Sequence, residues 1–272
     1  MEASESKGAP RAVLALPAVA LVLVAIWEIT ATLRAPGGVP DDDAFAQAGS
    51  YVREHMQPGD LVVFAPAWID PVGRMVVGNA LTVDAAARMD SAKYARIWEL
   101  SIRDEHAPEV AKLRPEEALD IGGVAVSRYQ QPPVTVLADL RDRMDTAKIV
   151  GGAAHVELQE VGFAPHRCIL ATPFSDQHPI AITFPGVTLG SQIVGYVGIA
   201  DVFTRRDRRE PASLSLSFGE LAHPAVTAIA GVDDGWVRFS ATTPPGTVAN
   251  LTFQLASAAG GRLICFAAEV RQ

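Results

Sequence analysis

The sequence predicts an N-terminal transmembrane helix, a small parallel α/β domain and a C-terminal antiparallel β-sandwich of the jelly-roll type. A long apolar run, alternating helix and strand patterns in the first half, and closely spaced β-rich runs in the second half are the basis for this prediction. The chain has 272 residues, enough for two domain cores. Its composition, 49% hydrophobic and 20% charged, excludes a disordered chain.

The predicted transmembrane helix covers residues 12–33. Every residue from Ala12 to Trp27 is apolar, and a helix over this range reaches about 33 Å, enough to cross a hydrocarbon core of about 30 Å. Basic residues precede the run and Asp41–Asp43 follow it, so residues 1–11 are expected to form a cytoplasmic tail. Two alternatives stay open, a cleaved signal peptide and a buried helix of a soluble protein.

A linker rich in proline and glycine, residues 34–40, precedes a predicted α/β domain at residues 41–147. The domain begins with three aspartates, which favour the N-terminus of an amphipathic helix. Residues 61–65 and 95–102 are predicted to be buried strands, and residues 108–119 a second helix with glutamates on its exposed faces. This order of elements predicts a small parallel sheet.

The predicted sandwich domain covers residues 148–272. Its β-rich runs are separated by turn residues, and some alternate apolar and polar residues with period two, as in Ala212–Phe218. Many short strands in one segment of this length indicate an antiparallel sandwich. The predicted strands are 155–161, 167–174, 179–184, 192–203, 212–218, 225–231, 236–242, 248–256 and 262–270.

Cys168 and Cys265, the chain's two cysteines, both lie in predicted strands of the sandwich domain. Outside the cytoplasm, oxidising conditions permit a disulfide between them. Their apolar neighbours are also consistent with two buried thiols that pack as small hydrophobic residues. The sequence leaves both alternatives open.

Sequence patterns of known catalytic sites are missing: the chain contains no G-x-S-x-G, H-E-x-x-H or C-x-x-C motif and no phosphate-binding loop. His155, His166 and His178 lie on or beside successive β runs, but isolated histidines of this kind are seldom metal ligands. A net charge of −8 disfavours binding to nucleic acid, which requires a basic surface. We therefore predict no catalytic residue, no metal, no cofactor and no nucleic-acid partner.

A candidate ligand site combines aromatic and basic residues of the sandwich domain. Sugar rings stack on aromatic side chains, and guanidinium groups bind phosphate or carboxylate with two hydrogen bonds. The candidate residues are Tyr196, Phe203, Arg205, Arg206, Arg208, Arg209 and Trp236. The alternative is a solvated basic loop beside aromatic residues of the core.

Several segments resemble known families. PGD at 58–60 with LVVFAPAW after it, YARIWEL at 94–100 and VAVSRYQQPPV at 124–134 resemble the extracytoplasmic C-terminal α/β domain of multi-spanning lipid-linked-sugar glycosyltransferases. LGSQIVGYVGIADVF at 189–203, DDGWVRFSATT at 233–243 and LICFAAEV at 263–270 resemble a carbohydrate-binding jelly roll. With only one predicted span, the membrane-embedded catalytic core of those enzymes is absent, so none of their catalytic residues carries over. The resemblance implies an accessory protein of envelope polysaccharide metabolism.

Together these features predict a single-pass protein of a bacterial cytoplasmic membrane, with its soluble domains on the periplasmic or extracellular side. We expect these domains to bind a glycan or an anionic envelope polymer without catalysis. The other expected partners are membrane lipid, through the N-terminal helix, and a membrane protein. The alternative is an envelope glycan-modifying enzyme, a hydrolase or a glycosyltransferase-related protein, with carboxylates at the strand ends of the α/β domain. Those carboxylates are Asp70, Asp84, Asp90 and Glu99.

Overall fold

The predicted fold class is confirmed by the structure. A long N-terminal helix is followed by a small part with helices and a mixed sheet, and then by an antiparallel β-sandwich. The computed structural model describes residues 11–34, 39–173, 178–200, 210–219, 223–258 and 261–272.

Helix α1 spans Arg11–Arg34. Its 24 residues reach about 36 Å at a rise of about 1.5 Å per residue. The segment Pro17–Arg34 is long and apolar enough to cross a membrane, and none of it is buried against the rest of the protein. Trp27 on this helix is 74% exposed. In length and composition α1 therefore suits either a membrane span or a signal sequence.

The mixed part packs helices against a four-stranded sheet with the strand order β1-β2-β4-β3. Strands β1 and β2 are parallel, whereas β4 is antiparallel to both of its neighbours. The side chain of Asp41 accepts a hydrogen bond from the backbone N–H of Ala44 at 2.8 Å and so caps the first helix of this part. The elements are α2 Asp42–His55, β1 Leu61–Ala65, α3 Asp70–Val77, α4 Val83–Ala86, β2 Arg96–Ser101, β3 Pro115–Ile121 and β4 Val124–Gln130.

The predicted helix over residues 108–119 is wrong, because the end of this range belongs to strand β3. The predicted parallel sheet is also corrected, because the sheet is mixed. Gly122 and Gly123 have φ values of 61° and 91° and form the tight turn that joins β3 to β4. Arg128 on β4 lies 3.6 Å from carboxylate oxygens of two glutamates of β3. An exposed edge strand rich in glutamate has the composition of an exposed helix, and cross-strand pairing decides its conformation.

The sandwich consists of two antiparallel sheets. The larger has the order β13-β10-β15-β8-β7, with β5 also paired to β15, and the smaller has the order β12-β11-β14-β9-β6. Each predicted β run of this part overlaps one of the strands β7–β15. The strands are β5 Val136–Asp139, β6 Lys148–Val150, β7 Gly152–Val161, β8 Ala164–Pro173, β9 Ile180–Thr188, β10 Gln192–Ile199, β11 Ala212–Phe218, β12 Val226–Ala230, β13 Val237–Thr242, β14 Val248–Ser257 and β15 Ile264–Arg271.

A disulfide links Cys168 of β8 to Cys265 of β15, with 5.6 Å between the two Cα atoms. Both cysteines are fully buried. They belong to a small apolar cluster against which the ring of Trp236 packs. The disulfide therefore supports the part of the sandwich that carries Trp236.

Candidate ligand-binding cavity

A cavity of about 790 Å³ lies between the mixed α/β part and the sandwich. One wall is formed by β1, the turn after it, α3 and the segment after α4. The other wall is formed by the turn between β7 and β8 together with Tyr196 and Trp236. The cavity thus depends on how the two parts of the chain pack together.

The segment Ala87–Asp90, which we call the docking segment, fastens the two parts to each other. Its first three carbonyl groups accept hydrogen bonds in turn from the backbone N–H of Arg167, the Nδ1 of His166 and the indole N–H of Trp236, at 2.9, 3.0 and 3.1 Å. The carboxylate of Asp90, the last residue of the segment, accepts two hydrogen bonds from the guanidinium of Arg271, at 3.0 and 2.8 Å. Every donor belongs to the sandwich, so this wall of the cavity is fixed before any ligand arrives.

Three rings of the sandwich form a continuous stack along the cavity. The ring of Trp236 stacks on His166 at 4.3 Å between centroids and on Tyr196 at 5.9 Å, with interplanar angles of 14° and 9°. The hydroxyl of Tyr196 donates to Asp90 at 3.4 Å. Because the Arg88 carbonyl is an acceptor, the ring of His166 carries its hydrogen on Nδ1. Burial lowers the pKa of His166 to about 4, so this ring is neutral at pH 7.

Acidification should destabilise the folded protein through His166. Its pKa is about 4 when folded and 6.5 ordinarily, so between these values the unfolded chain binds the proton and the folded chain does not. This contribution to the free energy of unfolding is complete above pH 6.5 and is lost as the pH falls towards 4, by about 3 kcal/mol. Unfolding free energies measured from pH 7 to pH 4 should fall less steeply in His166→Asn than in the wild type. The exposed His223→Asn control should follow the wild type.

Two exposed aromatic side chains line the cavity, one on each of its opposite walls. Trp68 lies in the 3-10 turn Ala67–Ile69 directly after β1, is 55% exposed and has the guanidinium carbon of Arg103 5.6 Å from its ring centroid. Phe163 is 82% exposed and lies with Gly162 in the two-residue turn between β7 and β8. The φ of Phe163 is +69°, a left-handed conformation that is costly for a bulky residue. Such strain at an exposed aromatic residue is typical of a functional position.

Relieving this strain should stabilise the protein. Asparagine adopts left-handed conformations more readily than phenylalanine, so Phe163→Asn is expected to raise the free energy of unfolding by about 1 kcal/mol. Urea denaturation measures this change. Leu158→Asn on the neighbouring strand is the control: Leu158 is 52% exposed, and asparagine is disfavoured in strands, so no gain is expected. A loss of stability in Phe163→Asn would contradict the strain argument.

The charged groups of the cavity wall are paired. Nε of Arg74 lies 2.6 Å from an Asp70 carboxylate oxygen, and Arg88 forms an ion pair with Glu109. Asp90 is held by Arg271 from the sandwich side. The wall therefore offers ordered hydrogen-bonding groups whose charges are largely compensated.

Behind the cavity wall, an ionic chain runs from the docking segment into the sandwich. Arg271 donates to Asp90 and also to Glu269, at 2.8 and 2.6 Å for the latter. The other oxygen of Glu269 lies 3.6 Å from Arg141, which pairs with Asp139. Arg271 and Glu269 are 3% and 2% exposed. Burial raises the pKa of Glu269 in spite of its arginine partners.

Of the four carboxylates considered for an enzyme, two line the cavity and two do not. Asp70 and Asp90 line the cavity, each paired with an arginine. Asp84 is exposed on α4. Glu99 is fully buried in β2, where it accepts hydrogen bonds from the Ala107 N–H at 2.6 Å and the Tyr129 hydroxyl at 2.9 Å.

The structure brings together Tyr196 and Trp236 of the predicted ligand site. The other predicted residues of that site lie outside the described residues: Phe203, Arg205, Arg206, Arg208 and Arg209. The site prediction did not include Trp68, Phe163 or His166. One signal for Trp68 was its position just after a predicted strand, since ligands favour the carboxyl ends of parallel strands. Among the residues that the structure describes, no group of three His, Cys, Asp or Glu side chains is placed to hold a metal ion.

No family model matches the chain, and no curated protein sequence matches it. The similar solved structures include carbohydrate-binding modules. The CBM22-1 and GH10 modules of Clostridium thermocellum endo-1,4-beta-D-xylanase 10B, complexed with xylohexaose, match at 15% identity and a TM-score of 0.33, over 51% of this chain and 28% of that one. A family 35 carbohydrate binding module from Clostridium thermocellum matches at 12% identity and 0.29, over 47% of this chain and 93% of that one.

A third similar structure contains the CBM51-2 and INT domains of Clostridium perfringens ZmpB, in complex with GlcNAc. It matches at 10% identity and a TM-score of 0.39, over 79% of this chain and 47% of that one. The chain thus spans less than half of the length of the xylanase and ZmpB structures. At such low identities and TM-scores the similarity does not bear on what this chain binds.

Proposed function

We propose that this chain is a glycan-binding protein that holds its ligand in the cavity between the mixed α/β part and the sandwich. The observation that carries the proposal is the pair of exposed rings, Trp68 and Phe163, that line this cavity from opposite walls. Exposed aromatic rings in a concave site stack on the apolar faces of sugar rings. Fixed polar groups beside them bind the sugar hydroxyls.

The size and order of the cavity support this proposal. A volume of about 790 Å³ lies within the range of small-ligand sites, about 300–1,000 Å³. The docking segment holds one wall through hydrogen bonds, and the stack of His166, Trp236 and Tyr196 holds the other. A rigid site loses little conformational entropy when it binds a ligand.

The charge pairing favours binding without catalysis. Glycoside hydrolysis needs one carboxyl group that keeps its proton and a second carboxylate opposite it. In this cavity Asp70, Asp90 and Glu109 each form an ion pair with an arginine, so each already has a charged partner from the protein. An envelope glycan-modifying enzyme remains the second candidate because the cavity lies at the carboxyl ends of β1 and β2. Release of reducing ends from a bound oligosaccharide would favour that candidate.

Helix α1 is proposed to anchor the protein in a bacterial cytoplasmic membrane with both soluble parts outside. The apolar surface of α1 is not covered by the rest of the described chain, which favours lipid as its surroundings. The resemblance to the extracytoplasmic domain of lipid-linked-sugar glycosyltransferases points to a role in envelope polysaccharide metabolism. Retention of the full-length protein in the membrane pellet after carbonate extraction would support the anchor, and release into the supernatant would count against it.

Truncating the exposed rings should weaken glycan binding. A glycan array probed with the full chain in detergent identifies a ligand, and titration calorimetry then compares Trp68→Ala and Phe163→Ala with the wild type. Each variant is expected to bind at least about ten-fold more weakly, because a lost stacking contact of about 1.4 kcal/mol corresponds to that factor. Ile229→Ala, which removes a side chain that is 61% exposed outside the cavity, should bind like the wild type. Unchanged affinity in both ring variants would overturn the proposed site.

A further inference from the structure

We propose that the cavity selects an uncharged glycan over one built from acidic sugars. This inference rests on the proposed function and concerns the same cavity. The described wall carries three carboxylates, Asp70, Asp90 and Glu109, and two guanidinium groups, Arg74 and Arg88. Each of these carboxylates has an arginine partner, Arg271 being that of Asp90, so the wall has no excess of positive charge to attract an acidic sugar.

The two arginines of the wall are already engaged. Arg88 pairs with Glu109 through one terminal nitrogen and donates to the Ala85 carbonyl through the other, at 3.2 Å. Nε of Arg74 lies 2.6 Å from Asp70. A sugar carboxylate would have to compete with a protein carboxylate for either arginine, whereas a hydroxyl can share the paired groups without breaking the pair.

Two further cations beside the wall are already engaged: Arg103 lies over the ring of Trp68, and Arg271 holds Asp90. Arg271 approaches Asp90 from the sandwich side, is 3% exposed and also holds Glu269. His166 adds no positive charge at pH 7, because burial lowers its pKa to about 4. A neutral pyranose therefore meets stacking rings and paired polar groups, while an acidic sugar meets, in the described wall, arginines that already pair with carboxylates.

Matched oligosaccharides test this selectivity. The full chain in nanodiscs of phosphatidylcholine is titrated at pH 7 with tetrasaccharides of glucose, galactose and mannose, and with tetraglucuronate, tetragalacturonate and tetramannuronate. In at least one matched pair the neutral member should bind at least ten-fold more tightly, and no acidic member should bind more tightly than its neutral partner. Preferred binding of an acidic member would overturn the inference and leave the proposed function standing. If no oligosaccharide binds and a glycan array also gives no ligand, the proposed function fails and the inference fails with it.

Removing the carboxylate partner of a wall arginine should reduce the preference for the neutral glycan. In Glu109→Gln, Arg88 loses its carboxylate partner, so the preference for the neutral member should fall at least five-fold. Asp70→Asn should act in the same direction through Arg74, and it serves as the second variant if Glu109→Gln folds poorly. Glu54→Gln removes the same charge from an exposed position of α2 outside the cavity, and its preference should equal that of the wild type. An unchanged preference in both wall variants would contradict the inference.

Discussion

Removal of the disulfide between Cys168 and Cys265 is expected to lower the free energy of unfolding by about 4 kcal/mol. The two cysteines are 97 residues apart, so the bond restricts a long loop in the unfolded chain. Urea denaturation of Cys168→Ala/Cys265→Ala and of the wild type, both without reductant, measures the difference. Because the disulfide cluster packs against Trp236, the double variant should also bind its glycan more weakly.

Reductant provides the control for this prediction. Dithiothreitol should lower the stability of the wild type towards that of the double variant and leave the double variant unchanged. A wild type whose unfolding midpoint does not respond to complete reduction would show that the bond contributes little to stability.

Arg271→Met is expected to destabilise the protein by about 3–5 kcal/mol, because it leaves two carboxylates without their buried partner. Arg271 bridges Asp90 of the docking segment and Glu269 of its own strand. The loss therefore falls both on the sandwich and on its attachment to the α/β part. Chemical denaturation at pH 7 measures it. Arg238→Met, on an exposed position of β13, is the matched control and should change stability by less than about 0.5 kcal/mol.

The pH dependence separates charge from packing in this variant. Burial raises the pKa of Glu269 above its ordinary value of 4.5. The contribution of protonated Glu269 to the free energy of unfolding is therefore fully present below pH 4.5 and is lost as the pH rises through the folded pKa. Without Arg271 the ionised form of Glu269 is still less favourable. The stability deficit of Arg271→Met should therefore shrink below pH 4.5, and Glu269→Gln in the same chain should recover part of it at pH 7. A deficit that is constant with pH would indicate lost packing alone.

Local sequence patterns predicted the sandwich because each of its strands is defined by residues close in sequence. In β11, Leu214 and Leu216 are fully buried and the neighbouring Ser213 and Ser215 are not, which is the period-two alternation of a half-buried strand. Strand β3 gave a weaker signal, because none of its residues is fully buried. Its side chains are exposed or half-buried, and its pairing to β4 depends on the turn at Gly122 and Gly123.

The cavity was harder to predict than the fold. Tyr196 and Trp236 were chosen for their chemistry, and the structure places them in one stack. The convergence of Trp68 with Phe163 depends on how the α/β part packs against the sandwich, and it brings together residues far apart in sequence. The pairing of each wall carboxylate with an arginine is likewise a tertiary feature.

The position of β15 has a consequence for biosynthesis. Ile264–Arg271 lies between β10 and β8 in the larger sheet, so this sheet cannot close until residue 271 has been translated. At typical rates of translation, the interval between β5 and β15 takes on the order of ten seconds. During that time β10 and β8 keep open edges that invite wrong pairing. Until β15 pairs with both strands, correct folding therefore depends on keeping these two edges apart from other chains.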